Sequence, residues 1–324
     1  MKSKQKLFIS IFSLILAAGI TAFLTGSINP GEYESPKSEV PSPVASPEVP
    51  GKVLFAGKEI SLDTYDRRER MDRELTGLTY THGNTMLMIK RANRYFPLVE
   101  PILAMNGIPD DFKYLMTIES DLNILARSPS GAAGLWQILE STGKENGLEV
   151  NQNVDERYHI IKSTEAACRY FKQAYAKYND WMTVAASYNA GQGRISTELE
   201  KQLADNAMNL WLNQETSRYM FRILAAKEIF SNPRKYGFLL RKENLYPVIS
   251  CKSATVSTEI PDLAEYARQQ SITYFQLKDS NPWLRDRALE NKSGKTYLIN
   301  IPTQEGMNYD PAKTAVHNRK WVIN

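Results

Sequence analysis

At 324 residues the chain has room for one sizeable domain and a smaller one, and 42% hydrophobic with 10% aromatic residues is enough to bury a core without staples. The formal net charge is only +4, and no stripe of Lys or Arg alternates with aromatics; this argues against nucleic acid as a partner and suits a mildly anionic polymer. His82, His159 and His317 lie far apart, no HExxH occurs, and neither Cys168 nor Cys251 belongs to a CxxC, so no metal site and no cofactor are expected.

Lys2, Lys4 and Lys6 precede Leu7–Leu24, an apolar stretch without a charge. Residues 1–28 therefore read as a signal peptide or a single membrane anchor, with the basic end cytoplasmic, and the chain reads as exported to the periplasm or cell envelope. No clean small-residue cleavage site follows, so retention at the inner membrane stays open alongside removal. Residues 29–51 hold six prolines among Ser, Glu and Val and read as an extended linker.

Residues 52–250 are predicted to form a mainly helical domain. Asp110-Asp111 after Pro109 offers a helix start, and Phe112, Leu115, Met116 and Glu119 then fall at i, i+3, i+4 and i+7. Ser163-Thr164 is predicted to open a second helix, with Ala167, Tyr170, Phe171, Ala174 and Tyr178 on one face. Cys168 within it reads as a small buried hydrophobe; a disulfide to Cys251 is the other reading in an oxidising compartment. Trp181, Val184, Ala185 and Tyr188 repeat the helical spacing, with Gly191 as a stop, and a fourth helix carries Tyr219, Ile223, Ala226 and Phe230. Beyond Cys251 the pattern becomes βααβ: a strand over 254–260, helices over 262–270 and 273–279, and a closing strand over 295–301. The last twenty residues show no pattern.

Glu119 is the residue of interest, because it stands where its helix's apolar stripe calls for another hydrophobe. A carboxyl there is buried or lines a cleft, and burial raises its pKa toward what a general acid needs near neutrality. Pairing with an arginine is the bland reading of the same position. Ser130-Gly131-Ala132-Ala133-Gly134-Leu135-Trp136-Gln137 permits a tight turn and close backbone approach, and Gln137 adds a neutral donor and acceptor suited to sugar hydroxyls. Trp136 reads either as core or as a sugar-stacking ring, and Tyr188 and Tyr219, taken singly, as core tyrosines. Asp121, Glu140, Glu145 and Asp180 sit on other faces or at helix boundaries. Glu215 has a helix-terminal role as its default reading.

The ordered set Glu119-Ser120, Gly134-Leu135-Trp136-Gln137, Ser187-Tyr188-Asn189-Ala190-Gly191 and Glu215-Thr216 with Tyr219 resembles the lytic transglycosylases of the goose-lysozyme-like superfamily, over roughly residues 71–237. Leu139-Glu140 and Ser187 depart slightly from that family's pattern. The resemblance implies a lysozyme-like helical fold and cleavage of the β-1,4 bond between N-acetylmuramic acid and N-acetylglucosamine in peptidoglycan glycan strands. It makes Glu119 the single acid and then base, closing a 1,6-anhydro ring without water. It also implies that Ser120 holds the Glu119 carboxyl, and that Gln137, Tyr188, Asn189 and Tyr219 line the cleft. A muramidase using water on the same fold and a non-catalytic wall-binding protein are the alternatives. Residues 251–324, a small unit plus tail, are similar to a LysM module over 254–302; a glycan-binding and a purely structural role both remain open there.

Overall fold

The computed structural model describes residues 45–292 and 294–323; the apolar leader and most of the proline-rich linker lie outside the described residues. The described chain opens with an antiparallel hairpin, β1 (Lys52–Phe55) and β2 (Lys58–Ser61), in the register Val53↔Ile60. This hairpin stands at the start of the stretch read as mainly helical, where no strand was predicted. Helices α1 (Tyr65–Tyr80), α2 (His82–Met105), α3 (Phe112–Ser120), α4 (Glu140–Glu145), α5 (Ile160–Tyr178), α6 (Trp181–Ala190), α7 (Gln192–Lys201) and α8 (Gln214–Ser231) follow. Among the described residues no helix is long and apolar enough to cross a membrane.

The short helix α3 is the hub. Phe112 meets the rings of Phe55, Phe171 and Trp181 at centroid separations of 5.9, 4.5 and 5.3 Å. Every residue of α3 except Glu119 is buried, so the helix is enclosed on all sides rather than on the single stripe its sequence displays. Even Lys113 is inside, with its ammonium held by Glu100 Oε1 and Asp110 Oδ2 at 2.6 Å each. Helix α5 begins a turn before the predicted Ser163, because the His159 ring accepts from the Lys162 amide and caps the helix there. Asp180 caps α6 by accepting from the Thr183 amide at 2.9 Å, a device worth about 1 kcal/mol.

The C-terminal segment forms β3 (Cys251–Val256), α9 (Leu263–Gln269), α10 (Tyr274–Ser280), β4 (Tyr297–Pro302) and the single turn α11 (Gln304–Met307). β3 and β4 pair antiparallel, with Ala254↔Ile299 in register. The βααβ order is as predicted, although β3 begins earlier and ends earlier than the sequence pattern. Asp262 and Thr273 cap the two helices through their side chains. Both cysteines are free; Cys168 is buried and Cys251 exposed.

The final residues return to the first core. Trp321 packs among Phe96, Phe230 and His317, and its indole donates to the Phe230 carbonyl at 2.7 Å. A lone tryptophan in a patternless tail gives no periodicity from which this docking is readable.

Candidate active site

α3 ends directly at Glu119-Ser120, and Asp121 and Leu122 then take left-handed φ values of 50° and 55°. Gln137, in the loop over 128–139, adopts φ 47°. Such conformations cost of order 1–3 kcal/mol each in a non-glycine residue and persist only where surrounding structure enforces them. At Gln137 the enforcing structure is a tight hairpin: Ala133 and Ile138 exchange both backbone hydrogen bonds at 3.1 Å, and Gly134 N donates to Ala126 O at 3.0 Å. Arg157 fastens this hairpin from below. Its guanidinium donates to the carbonyls of Gly131 (2.8 Å) and Ile138 (3.2 Å), while Asp155 holds its other edge. A Cβ at Gly134 would lie 2.0 Å from the Arg157 carbonyl oxygen, so only glycine fits there.

Above α3 lies a cavity of about 790 Å³. Its walls are the end of α3, the 128–139 loop, α5 through Tyr170, the end of α6 and one face of α8. Glu119 lines it, half-buried, and Oε1 accepts the Tyr219 hydroxyl hydrogen at 2.5 Å. Burial pushes the Glu119 carboxyl up to about 7; the Tyr219 hydrogen bond and the nearby Arg222 charge pull it back, and Glu215 adds to the rise. At neutral pH such a group is present in both protonation states and can give and take a proton. Burial also raises both Tyr219 and Tyr188 well above the usual phenol range, so each remains a neutral donor.

Gln137, Tyr188, Asn189 and Tyr219 all reach this cavity together with Glu119. The Gln137 amide nitrogen donates to Ala126 O (3.1 Å) and Gly134 O (2.9 Å), so only its oxygen is left for another partner. Tyr188 donates to the Trp136 carbonyl at 2.7 Å, tying α6 to the hairpin. The Asn189 amide makes no side-chain hydrogen bond among the described residues and is half-buried at the cavity wall. Ser120 departs from expectation. Its hydroxyl turns back to the Met116 carbonyl of its own helix at 3.3 Å, it is buried, and it neither lines the cavity nor bonds to Glu119. Trp136 is core: it is fully buried and donates to Thr164 Oγ1 at 2.9 Å.

Three charged residues of α8 join the site, and neither Arg218 nor Arg222 was expected there. Glu215 and Arg222 line the cavity one turn to either side of Tyr219, and Arg218 lines it from the position just before Tyr219. Glu215 lies in the first turn of α8, which Asn213 caps, and it is also a second carboxylate in the cleft. Helical spacing from Tyr219 was the available signal for Glu215 and Arg222, but not for the adjacent Arg218. No local signal marks the buried Glu74, whose carboxylate grips Arg218 at 2.8 and 3.1 Å from 144 residues away. Arg222 forms no ion pair or hydrogen bond among the described residues.

Residues 102–210, which carry Glu119, the hairpin and the Tyr188-Asn189 segment, match the Transglycosylase SLT domain family. The chain carries an SLT-type domain. Residues 252–305 match the soluble lytic transglycosylase C-terminal LysM-like domain. The SLT match stops short of α8, so Glu215 and Tyr219 join the site by geometry. Membrane-bound lytic murein transglycosylase D of Escherichia coli, in strain K12 and in strain O6:H1, is 27% identical over 253 residues, 76% of this chain and 54% of that protein. The chain thus spans about half the length of these curated relatives. A solved structure, the lytic transglycosylase Slt of Pseudomonas aeruginosa in an inactive mutant, matches at 20% identity with a TM-score of 0.33, over 40% of this chain and 23% of that one.

Proposed function

We propose that the chain is a peptidoglycan lytic transglycosylase, cleaving the β-1,4 bond between N-acetylmuramic acid and N-acetylglucosamine. The observation that carries this reading is the Glu119 carboxyl, raised to about 7 and held by Tyr219 at the floor of an open cavity. The protonated carboxyl gives its proton to the glycosidic oxygen as the bond to the muramyl C1 breaks. The resulting carboxylate takes the proton of the muramyl C6 hydroxyl, whose oxygen closes onto C1. Glu119 is then protonated again, and no water has been consumed. Tyr219 steadies the carboxylate stage, and Gln137 Oε1, Tyr188 and the free Asn189 amide serve as polar contacts for the sugars. Ser120 has no part in this chemistry. The domain matches and the similarity to a murein transglycosylase support peptidoglycan as the substrate and the cell envelope as the site of action. Residues 1–28 would direct export, and would hold the enzyme at the inner membrane where they are retained.

One observation favours a second reading. Glu215 supplies another carboxylate to the same cavity, and hydrolytic glycosidases use two. A water-using muramidase would employ Glu215 to activate the nucleophile. Mass spectrometry of digested sacculi separates the two: anhydro-muropeptides, lighter by one water than hydrolysed ones, are expected, and reducing muramic ends alone would establish hydrolysis.

A further inference from the structure

The LysM-like unit does not hang from a flexible tether. Pro47–Asn324 form one compact unit. The buried Asn93 of α2 holds the incoming and outgoing strands of the C-terminal segment at once. Its amide nitrogen donates to Tyr246 O (3.1 Å) and Ala315 O (2.9 Å), and its oxygen accepts from His317 N (2.9 Å). Arg94 adds a bond to Pro247 O at 3.0 Å.

Between these two anchor points the unit docks on residues 149–158, the stretch that contains Asp155 and Arg157. Asp155 N donates to Trp283 O and Arg285 N to Asn153 O, each at 2.9 Å. Asn153 Nδ2 donates to Ala288 O (2.7 Å), and its Oδ1 accepts from Glu290 N (3.0 Å). The Arg285 guanidinium lies 4.3 Å from the Tyr158 ring centroid, and Glu149 Oε2 receives Lys295 Nζ (2.9 Å) and the Tyr297 hydroxyl (3.0 Å). The hairpin itself is divided between two cores. Leu135 and Trp136 belong to the helical core, whereas the fully buried Ala133 packs with Val154, Tyr158, Trp283 and Leu284 in the core of the C-terminal unit.

From this seam we propose that the LysM-like unit is a positioning element of the active site, acting through Asn153, Asp155 and Arg157 on the hairpin that presents Gln137 and receives Tyr188. The inference rests on the transglycosylase reading for its kinetic consequence only. A unit that merely recruits glycan would affect attachment to sacculi and leave turnover of soluble strands alone. A positioning unit affects turnover first, because small misplacements at a reacting centre lower kcat strongly.

The test uses the full chain carrying Asn153→Ala with Arg285→Ala, two residues outside the cavity. Peptide-free soluble glycan strands serve as substrate, with sacculus pull-down in parallel. The expected result is a fall in kcat of about tenfold or more, KM and pull-down changed by less than about twofold, and faster hydrogen exchange at the Ala133 and Ile138 amides. Unchanged kcat overturns the inference, as does unchanged exchange at those two amides. If the double variant does not fold, Lys295→Ala loosens the same seam by one exposed contact and is read in the same way, with smaller changes. The exchange measurement keeps the two questions apart. If the wild-type chain cleaves no glycan, the transglycosylase reading fails, and faster exchange in the variant still supports positioning of the hairpin.

Discussion

α3 and α8 each bring a carboxylate to one cavity, and they treat it differently. Glu119 closes a helix that is otherwise wholly buried, receives the Tyr219 hydroxyl and titrates at about 7. Glu215 sits in the exposed first turn of α8 and lines the same cavity from its open side. The arginines divide in the same way. Arg218 is gripped by Glu74, while Arg222 stays unpaired near Glu119 and moderates its rise. Similar side chains thus acquire separate surroundings from burial and pairing: Glu119 is desolvated and equipped to exchange a proton, whereas Glu215 faces solvent at the mouth of α8.

Replacing each acid by its amide tests this division most directly. Glu119→Gln should lower kcat on sacculi by about 10²–10⁴-fold, the usual worth of a general acid. Glu215→Gln should lower it by about tenfold at most, through weakened substrate contact. Both are read as release of soluble muropeptides. Losses of equal size in the two variants would remove the asymmetry and support two-carboxylate hydrolysis instead.

Glu119 was legible in the sequence because a carboxylate interrupted a hydrophobic spacing, and its helix, α6 and α8 were legible from that kind of apolar spacing itself. The front hairpin was not, since two four-residue strands offer too little alternation to stand out from helix. Ser120 misled because adjacency to Glu119 in sequence places it about 100° round the helix, where its hydroxyl bonds backward to Met116. Arg157 and Glu74 escaped because their tasks depend on partners distant in the chain. Glycine in Gly134-Leu135-Trp136-Gln137 was visible as permission for close approach, but the carbonyl of Arg157 that requires it was not.

The burial that equips Glu119 should also appear as instability. Its pKa is raised on folding, so the native state favours the protonated form. That contribution is fully present below the ordinary carboxyl range and is lost as the pH rises through about 7. A rise from 4.5 to about 7 corresponds to up to about 3 kcal/mol. Glu119→Gln has no charge to bury, so it should melt higher than wild type at pH 8, with the gap closing toward pH 4.5. Parallel melting profiles across that interval would mean that Glu119 is not desolvated as its surroundings require.

The finest distinction concerns Tyr219 itself. Its hydroxyl donates to the Glu119 carboxylate and lowers the pKa that burial raises, so the two effects set the working value between them. Tyr219→Phe keeps the buried ring and removes only the donor. The Glu119 carboxyl should then titrate at higher pH, carrying the basic limb of kcat/KM upward with it. At the pH optimum the rate should still fall, by about tenfold or less, because the carboxylate stage that takes the C6 proton loses its hydrogen bond. A variant that slows without moving the limb would place Tyr219 on the substrate rather than on the acid. One that moves the limb without slowing would leave Tyr219 as a tuner of protonation alone. Both changes together are expected only if one carboxyl serves as acid and then as base.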